Sequence, residues 1–441
     1  MRRTPIPVEH ITISNPKLYK DLRTKQEARI FPYYAGFSNS FVHDLLASLE
    51  LRPESIIFDP WNGSGTTTQS ALELGHRAIG FDLNPVMVVV AKARMLSPLD
   101  HPSLSAIACS LVEQAKNDST VKKIDAADPL MTWLSPSSAS SIRALEHRIN
   151  RTLISSDEYV SIRDNAAIDR LSPLAAFFYV CLFRTTRKLL ENFIPSNPTW
   201  VKIPKSKSER RRPSQNLIFE AFVNETESLI SSGGAIQPVP MRNEENVAIK
   251  IGNAERLDLK SSLVDAIISS PPYCTRIDYA VSTTLELAVL GYGKSEFELL
   301  RRSLTGTSTV EPKAGEVDES WGPMCLDFLD KMRAHPSIAS KGYYFKNHVQ
   351  YFRSMSLSIR EIARVLKPNG LCFLVAQDSH YKDIHNDVSS IISEMAGAAG
   401  LRLTRRVDFS TSQSMVKVNR KSRLHLPRRH STESVLCFQN S

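Results

Sequence analysis

No two cysteines in this chain are spaced as Cys-x-x-Cys. Its six cysteines, Cys109, Cys181, Cys274, Cys325, Cys372 and Cys437, are scattered along 441 residues. That scatter excludes a zinc-ribbon site and a disulfide frame, and reads as reduced thiols in a cytoplasmic protein. No run approaches the roughly eighteen consecutive apolar residues of a membrane-spanning helix. The start, Met1-Arg2-Arg3-Thr4-Pro5, has charge but no apolar stretch after it, so no secretory signal is expected. Internal repeats and low-complexity tracts are also missing. An apolar share of 42% and a charged share of 23% are ordinary for a globular protein. The length suits one large domain with insertions, or two to three smaller ones. What stands out is positive charge. A net +9 and a pI near 9.2 favour a polyanionic partner.

The first informative stretch is a strand, a glycine turn, a helix and a second strand. Ser55-Ile56-Ile57-Phe58 reads as a buried strand, followed by Asp59-Pro60-Trp61-Asn62-Gly63-Ser64-Gly65-Thr66-Thr67. A helix is predicted over residues 69–74, with Gly75 closing it. Ala78-Ile79-Gly80-Phe81 is the second strand and ends in Asp82-Leu83-Asn84-Pro85; residues 86–95 make another helix. Gly63 and Gly65 let the backbone approach a ligand, and the helix start offers free amides. An acid about twenty residues on, at the tip of the next strand, is placed for ribose hydroxyls. The unit therefore predicts an adenosine-containing cofactor. No Gly-Lys-Ser/Thr follows this turn, which excludes a P-loop. The three-glycine dinucleotide pattern is incomplete, and a carboxylate at Asp59 suits a cation such as the amino group of S-adenosyl-L-methionine better than a pyrophosphate.

Residues 96–247 change character, with few glycines and four predicted helices (104–115, 140–152, 171–191, 216–231). The aromatic stripe Phe177, Phe178 and Phe183 reads as core. Lys202, Lys205, Lys207, Arg210, Arg211 and Arg212 follow, opposed only by Glu209, as a candidate phosphate-contacting segment. A second basic stretch lies between 401 and 430, with Arg402, Arg405, Arg406, Arg420, Lys421 and Arg423 among its members and Asp408 its one acid.

Strand character returns at Ala248-Ile249-Lys250-Ile251, leading to Gly252-Asn253-Ala254, where Asn253 is placed for an adenine edge. The apolar run 264–268 stops at Ser269-Ser270-Pro271-Pro272-Tyr273. Two prolines cannot donate ladder hydrogen bonds, so the strand ends in a stiff extended loop. Ser270 and the Pro271 carbonyl are spaced to accept the two hydrogens of an exocyclic amine, with Tyr273 stacking on its ring. Residues 292–345 read as a polar, partly mobile excursion. Residues 351–366 form an amphipathic helix, followed by strands over 371–376, 401–407 and 434–438.

Together these stretches resemble the amino-group DNA methyltransferases, which methylate the exocyclic nitrogen of cytosine or adenine. The match rests on Asp59 to Thr67 (with Trp61 in place of the family's phenylalanine), on Asp82, and on Ser270-Pro271-Pro272-Tyr273. Weaker matches are Tyr33 to Phe37, Arg364 to Gly370, and Arg276-Ile277-Asp278-Tyr279 with Leu285-Glu286-Leu287. The resemblance implies a Rossmann-like class I α/β sheet with helices on both faces and a mostly helical insertion. It divides the chain into a cofactor half with an N-terminal arm (1–95), an insertion for target recognition (96–247) and a catalytic half (248–441). Tyr33, Phe37, Asp59, Pro60, Trp61, Gly63, Ser64, Gly65, Thr66, Thr67, Asp82, Asn84 and Asn253 are then the expected cofactor residues. Ser270, Pro271, Pro272 and Tyr273 are the catalytic ones. Double-stranded DNA is the implied partner, with Arg276 added to the two basic stretches as contacts, and restriction–modification or defence with a cognate nuclease the implied setting. No metal is implied, and Cys274 is read as structural. Serine at the first catalytic position favours cytosine N4; adenine N6, an RNA base methyltransferase and a non-catalytic DNA-binding protein stay open.

Overall fold

A computed structural model describes residues 10–17, 30–31, 36–117, 124–155, 158–195, 200–232, 246–274, 277–312, 315–337, 339–411 and 431–441. Its centre is a seven-stranded sheet: β1 (Ile56–Asp59), β2 (Arg77–Asp82), β3 (Val247–Ile251), β4 (Val264–Ser269), β5 (Leu366–Gln377), β6 (Leu401–Thr411) and β7 (Ser431–Asn440). The strand order is β3-β2-β1-β4-β5-β7-β6. Neighbours from β3 to β5 pair in parallel, and β7 runs antiparallel to both β5 and β6. This is the Rossmann-like class I arrangement. The order reverses between β1 and β4, and ligands of open α/β sheets bind outside the carboxyl ends at such a switch point.

Strand residues alternate between two cores, as a sheet covered on both faces requires. Ile57, Ala266, Ile268, Phe373, Val375 and Val435 join the first, Phe58, Ile267, Cys372, Leu374, Leu436 and Phe438 the second. The first face is covered by α1 (Asn39–Ser48), α2 (Thr66–Glu73) and α3 (Pro85–Ala93). The insertion supplies α4 (His101–Lys116), α5 (Pro136–Leu153), α6 (Pro173–Leu189) and α7 (Gln215–Ser231). Serine caps begin three of these. Ser135, Ser172 and Ser214 each accept a first-turn amide, and Pro136 and Pro173 fill positions that need no donor.

The insertion is no separate lobe. α6 lies against α3, and its fully buried Phe177, Phe178 and Phe183 share one core with Val86 to Ala91. Arg187 of α6 forks onto Glu286 (2.7 and 3.0 Å), a fully buried carboxylate in the segment that follows the Ser270–Tyr273 loop.

The second face carries α9 (Pro323–Ala334), α10 (Phe345–Val365) and α11 (Val388–Ala398), and here one expectation is corrected. Residues 292–345 contain α8 (Lys294–Ser303) and α9, and Trp321, Cys325, Phe328, Leu329 and Met332 are buried in the second core. Positions 325, 328, 329 and 332 have helical spacing, a signal masked by the segment's polar composition. Among the described residues, no helix is long and apolar enough to cross a membrane.

Candidate active site

Two loops leave the carboxyl ends of adjacent strands and meet in one cleft. The first is built by local chemistry. Asp59, at the end of β1, is buried; it accepts the Trp61 amide (3.0 Å) and the Ser269 hydroxyl (2.5 Å). Asp82, at the end of β2, accepts the Gly63 amide (2.9 Å) and the Asn84 amide (2.8 Å). Burial pushes both carboxyls up to about 6, because a low-dielectric site disfavours the charged form. Gly65 caps α2 at φ +85°, and a Cβ there would lie 2.9 Å from that of Ala91. Glycine alone allows both the left-handed turn and this helix contact.

The cleft is lined by Phe37, Asp59, Pro60, Trp61, Gly63, Ser64, Thr66, Asp82, Asn84, Asn253 and Ser270 to Tyr273. Gly65 and Thr67 stand behind that lining. Thr67 is buried, and its hydroxyl donates to the Ile268 carbonyl (3.1 Å), tying α2 to β4. Asn84 also serves the scaffold: its Oδ1 caps α3 at Val86, and its Nδ2 donates to Thr283 (2.9 Å). Asn253 accepts the Glu255 amide (2.9 Å) on Oδ1. Tyr33 and Arg276 lie outside the described residues. Sequence reasoning missed Gly36, Met87, Gly252, Tyr279, Leu304 and Thr305, which also line the cleft. Gly252 had a signal in standing beside Asn253. Leu304 and Thr305 had none, since they come from the supposed excursion.

The second loop is braced from a distance. The Ser270 hydroxyl donates to the Val375 carbonyl of β5 (3.2 Å), and the Tyr351 hydroxyl of α10 donates to the Pro272 carbonyl (3.0 Å). The Tyr273 amide donates to the Tyr279 hydroxyl (3.4 Å), and the Tyr273 hydroxyl donates to Glu433 of β7 (2.8 Å). Among the described residues, no donor engages the Pro271 carbonyl. Burial pushes the Cys274 thiol up to about 12, which makes it a poor nucleophile at neutral pH.

The two basic stretches differ. Lys202, Lys205, Lys207, Arg211 and Arg212 are exposed and Arg210 is half-exposed, beside exposed Trp200 and Ile203. Their backbone is pinned: the Trp133 indole donates to the Lys202 carbonyl (2.8 Å), and Arg211 pairs with Leu134. On β6, Arg402 is tied to Gln439, Arg405 to the Ile11 carbonyl and Arg406 to Asp408. Arg420, Lys421 and Arg423 lie outside the described residues.

Such a sheet, with these loops at its switch point, places an adenosine-type cofactor at the carboxyl ends of β1 and β2. The family model described as DNA methylase, covering N6 and N4 methyltransferases, matches residues 14–93. The Type II methyltransferase M.AvaI of Nostoc sp. is 24% identical over 426 residues, 89% of this chain and 82% of that protein. M.BsoBI of Geobacillus stearothermophilus, also a Type II methyltransferase, is 25% identical over 300 residues, 64% of this chain and 56% of that protein. A solved SAM-dependent methyltransferase of Methanosarcina mazei aligns at 8% identity and TM-score 0.28, over 88% of this chain and 94% of that one, too loosely to carry an argument. These matches support the amino-group (N4/N6) DNA methyltransferase family for this chain, with S-adenosyl-L-methionine as its cofactor.

Proposed function

We propose that this chain methylates the N4 amine of cytosine in double-stranded DNA, as the modification partner of a cognate restriction endonuclease. The observation that carries the reading is the orientation of Ser270. Its single hydroxyl hydrogen is committed to the Val375 carbonyl, so only lone pairs remain to face the cleft. A serine held that way is an acceptor for an amine hydrogen, and the free Pro271 carbonyl is a second.

An exocyclic amine is a weak nucleophile because its lone pair is delocalised into the ring. Two acceptors favour a pyramidal nitrogen, and this stabilisation grows towards the transition state, where it raises the rate. The base leaves the duplex to reach them, and Tyr273 stacks on it. Asp59 and Asp82 hold the cofactor's charged and ribose ends, with Phe37, Trp61, Ser64, Thr66 and Asn253 around it. The bound cofactor supplies an activated methyl group on a sulfonium. Lys202 to Arg212, pinned in backbone and with their charged side chains exposed or half-exposed, contact phosphates and set register without reading sequence. The choice of cytosine follows from serine at the first catalytic position, which in this family accompanies N4 methylation more often than N6.

The test is incubation with labelled S-adenosylmethionine and mixed bacterial DNA, followed by nucleoside mass spectrometry. N4-methylcytosine is the expected product; N6-methyladenine would overturn the choice of base, and label in RNA alone the choice of substrate.

A further inference from the structure

One buried acid has no part in the family motifs. Glu433 sits near the start of β7, opposite Gln377 of β5. Because β7 runs antiparallel to β5, this end of it lies level with the carboxyl ends of the parallel strands, where the cleft opens. Only 5% of Glu433 is exposed. One carboxylate oxygen accepts the Tyr273 hydroxyl at 2.8 Å, and the other is enclosed with no hydrogen-bond partner among the described residues. Lys17 is the cation that acts on it, and the Lys17 backbone bridges to Phe37 in the cleft wall.

Burying an acid with one oxygen unsatisfied is costly, and an apolar residue would fill the same strand position without that penalty. We propose that Glu433 is a positioning residue for methyl transfer: it pins the Tyr273 ring by its hydroxyl so that the stacking plane for the extruded base is set in advance. This rests on the reading of Tyr273 as the stacking residue. A phenol donating to a carboxylate makes a stronger and shorter bond than one donating to a neutral group. A ring held at both its backbone and its hydroxyl has lost its freedom to tilt before the base arrives, so less order remains to be imposed on binding. Burial raises the Glu433 carboxyl, while Tyr273 and Lys17 act to keep it ionised. The pin thereby couples the N-terminal arm, through Lys17, to the catalytic loop.

The test compares Glu433→Ala, Glu433→Gln, Tyr273→Phe and the Glu433→Ala/Tyr273→Phe pair in the full chain. Glu433→Ala is expected to lower kcat on DNA about tenfold, the scale of one orienting hydrogen bond. Its cofactor Kd should stay within about twofold of wild type, well under the tenfold of one such bond. Tyr273→Phe should show the same loss, the pair should lose no more than either single variant, and Glu433→Gln, whose amide oxygen still accepts the phenol, should recover most of the rate. An undiminished kcat in Glu433→Ala, or losses that multiply in the pair, would overturn the proposal. So would a fall in cofactor affinity and melting temperature that matches the fall in rate, which marks a purely structural acid. A readout independent of activity is the fluorine resonance of 3-fluorotyrosine placed at 273. Loss of the pin should move it and average its ring flips in Glu433→Ala but not in Glu433→Gln, and an unchanged line would also refute the pin. Wild-type protein that transfers no methyl group to any DNA would instead sink the functional reading, and the fluorine line would still decide whether the pin exists.

Discussion

The two loops of the cleft are held in opposite ways. The loop after β1 is fixed by its own neighbourhood, since Asp59 accepts the Trp61 amide, Asp82 accepts the Gly63 amide and Gly65 donates to the Asn62 carbonyl. The loop after β4 is fixed by strangers. Val375, Tyr351, Glu433 and Tyr279 come from three other elements and the segment that follows. A loop that must shape itself around a cofactor common to a whole family can carry its instructions in one contiguous stretch. On the proposed function, a loop that presents an acceptor and a ring to one particular base takes its rigidity from the scaffold around it.

The largest effect that would break this comparison is at Asp59. Asp59→Asn removes the buried charge while keeping the shape, and is expected to weaken cofactor binding by about 2–3 kcal/mol, roughly a hundredfold, in calorimetry. A Kd within about threefold of wild type, under 1 kcal/mol, would show that the first loop does not depend on its carboxylate.

Next in size is the pH dependence. Asp59 and Asp82 are both raised to about 6 by burial, from an ordinary value of 3.8. Cofactor affinity should therefore fall as pH drops below about 6, by about tenfold per unit for each carboxylate that must be charged. For stability the sign is the reverse. Carboxyls raised on folding favour the folded state most below their unfolded value, and this contribution is lost as pH rises through about 6. Calorimetry from pH 5 to 8 checks the first statement, and a flatter profile in Asp59→Asn assigns it.

Gly65→Ala tests the local geometry without touching a charge. A positive φ and a Cβ 2.9 Å from Ala91 should together lower unfolding stability by about 1–3 kcal/mol in denaturant titration.

The smallest effect concerns the basic stretches, and it sharpens a second contrast. Replacing Lys205, Lys207 and Arg212 with alanine should reduce the salt slope of DNA binding by about 0.9 for each phosphate no longer neutralised. Arg402→Ala on β6, where the guanidinium is tied to Gln439, should leave the slope unchanged.

Much of the fold was legible because its signals are local. Strand-ending acids, the glycine turn after β1 and the aromatic stripe of α6 each dictate structure within about ten residues. The same is true of the first loop, whose residues from Asp59 to Thr66 line the cleft with the exception of Gly65, which stands behind it; Asn62 is the one lining residue among them that went unremarked. What escaped reading was long-range. Nothing in the neighbourhood of Glu433 foretells a bond to Tyr273, because the partner lies 160 residues away. Thr305 reached the cleft from a segment whose polar composition masked the buried stripe of α9. Thr67 and Asn84 sit in the right motifs, yet their polar atoms are engaged by Ile268 and Thr283, and only the folded arrangement of donors reveals that.

The division of labour between the loops is tested most directly by Ser270→Ala, followed by single-turnover methyl transfer to DNA alongside calorimetric cofactor binding. The expected result is a rate reduced about 10²–10³-fold, the scale of removing one preorganised transition-state hydrogen bond, with cofactor Kd unchanged. A Ser270→Ala protein that methylates at the wild-type rate would contradict the role given to the second loop.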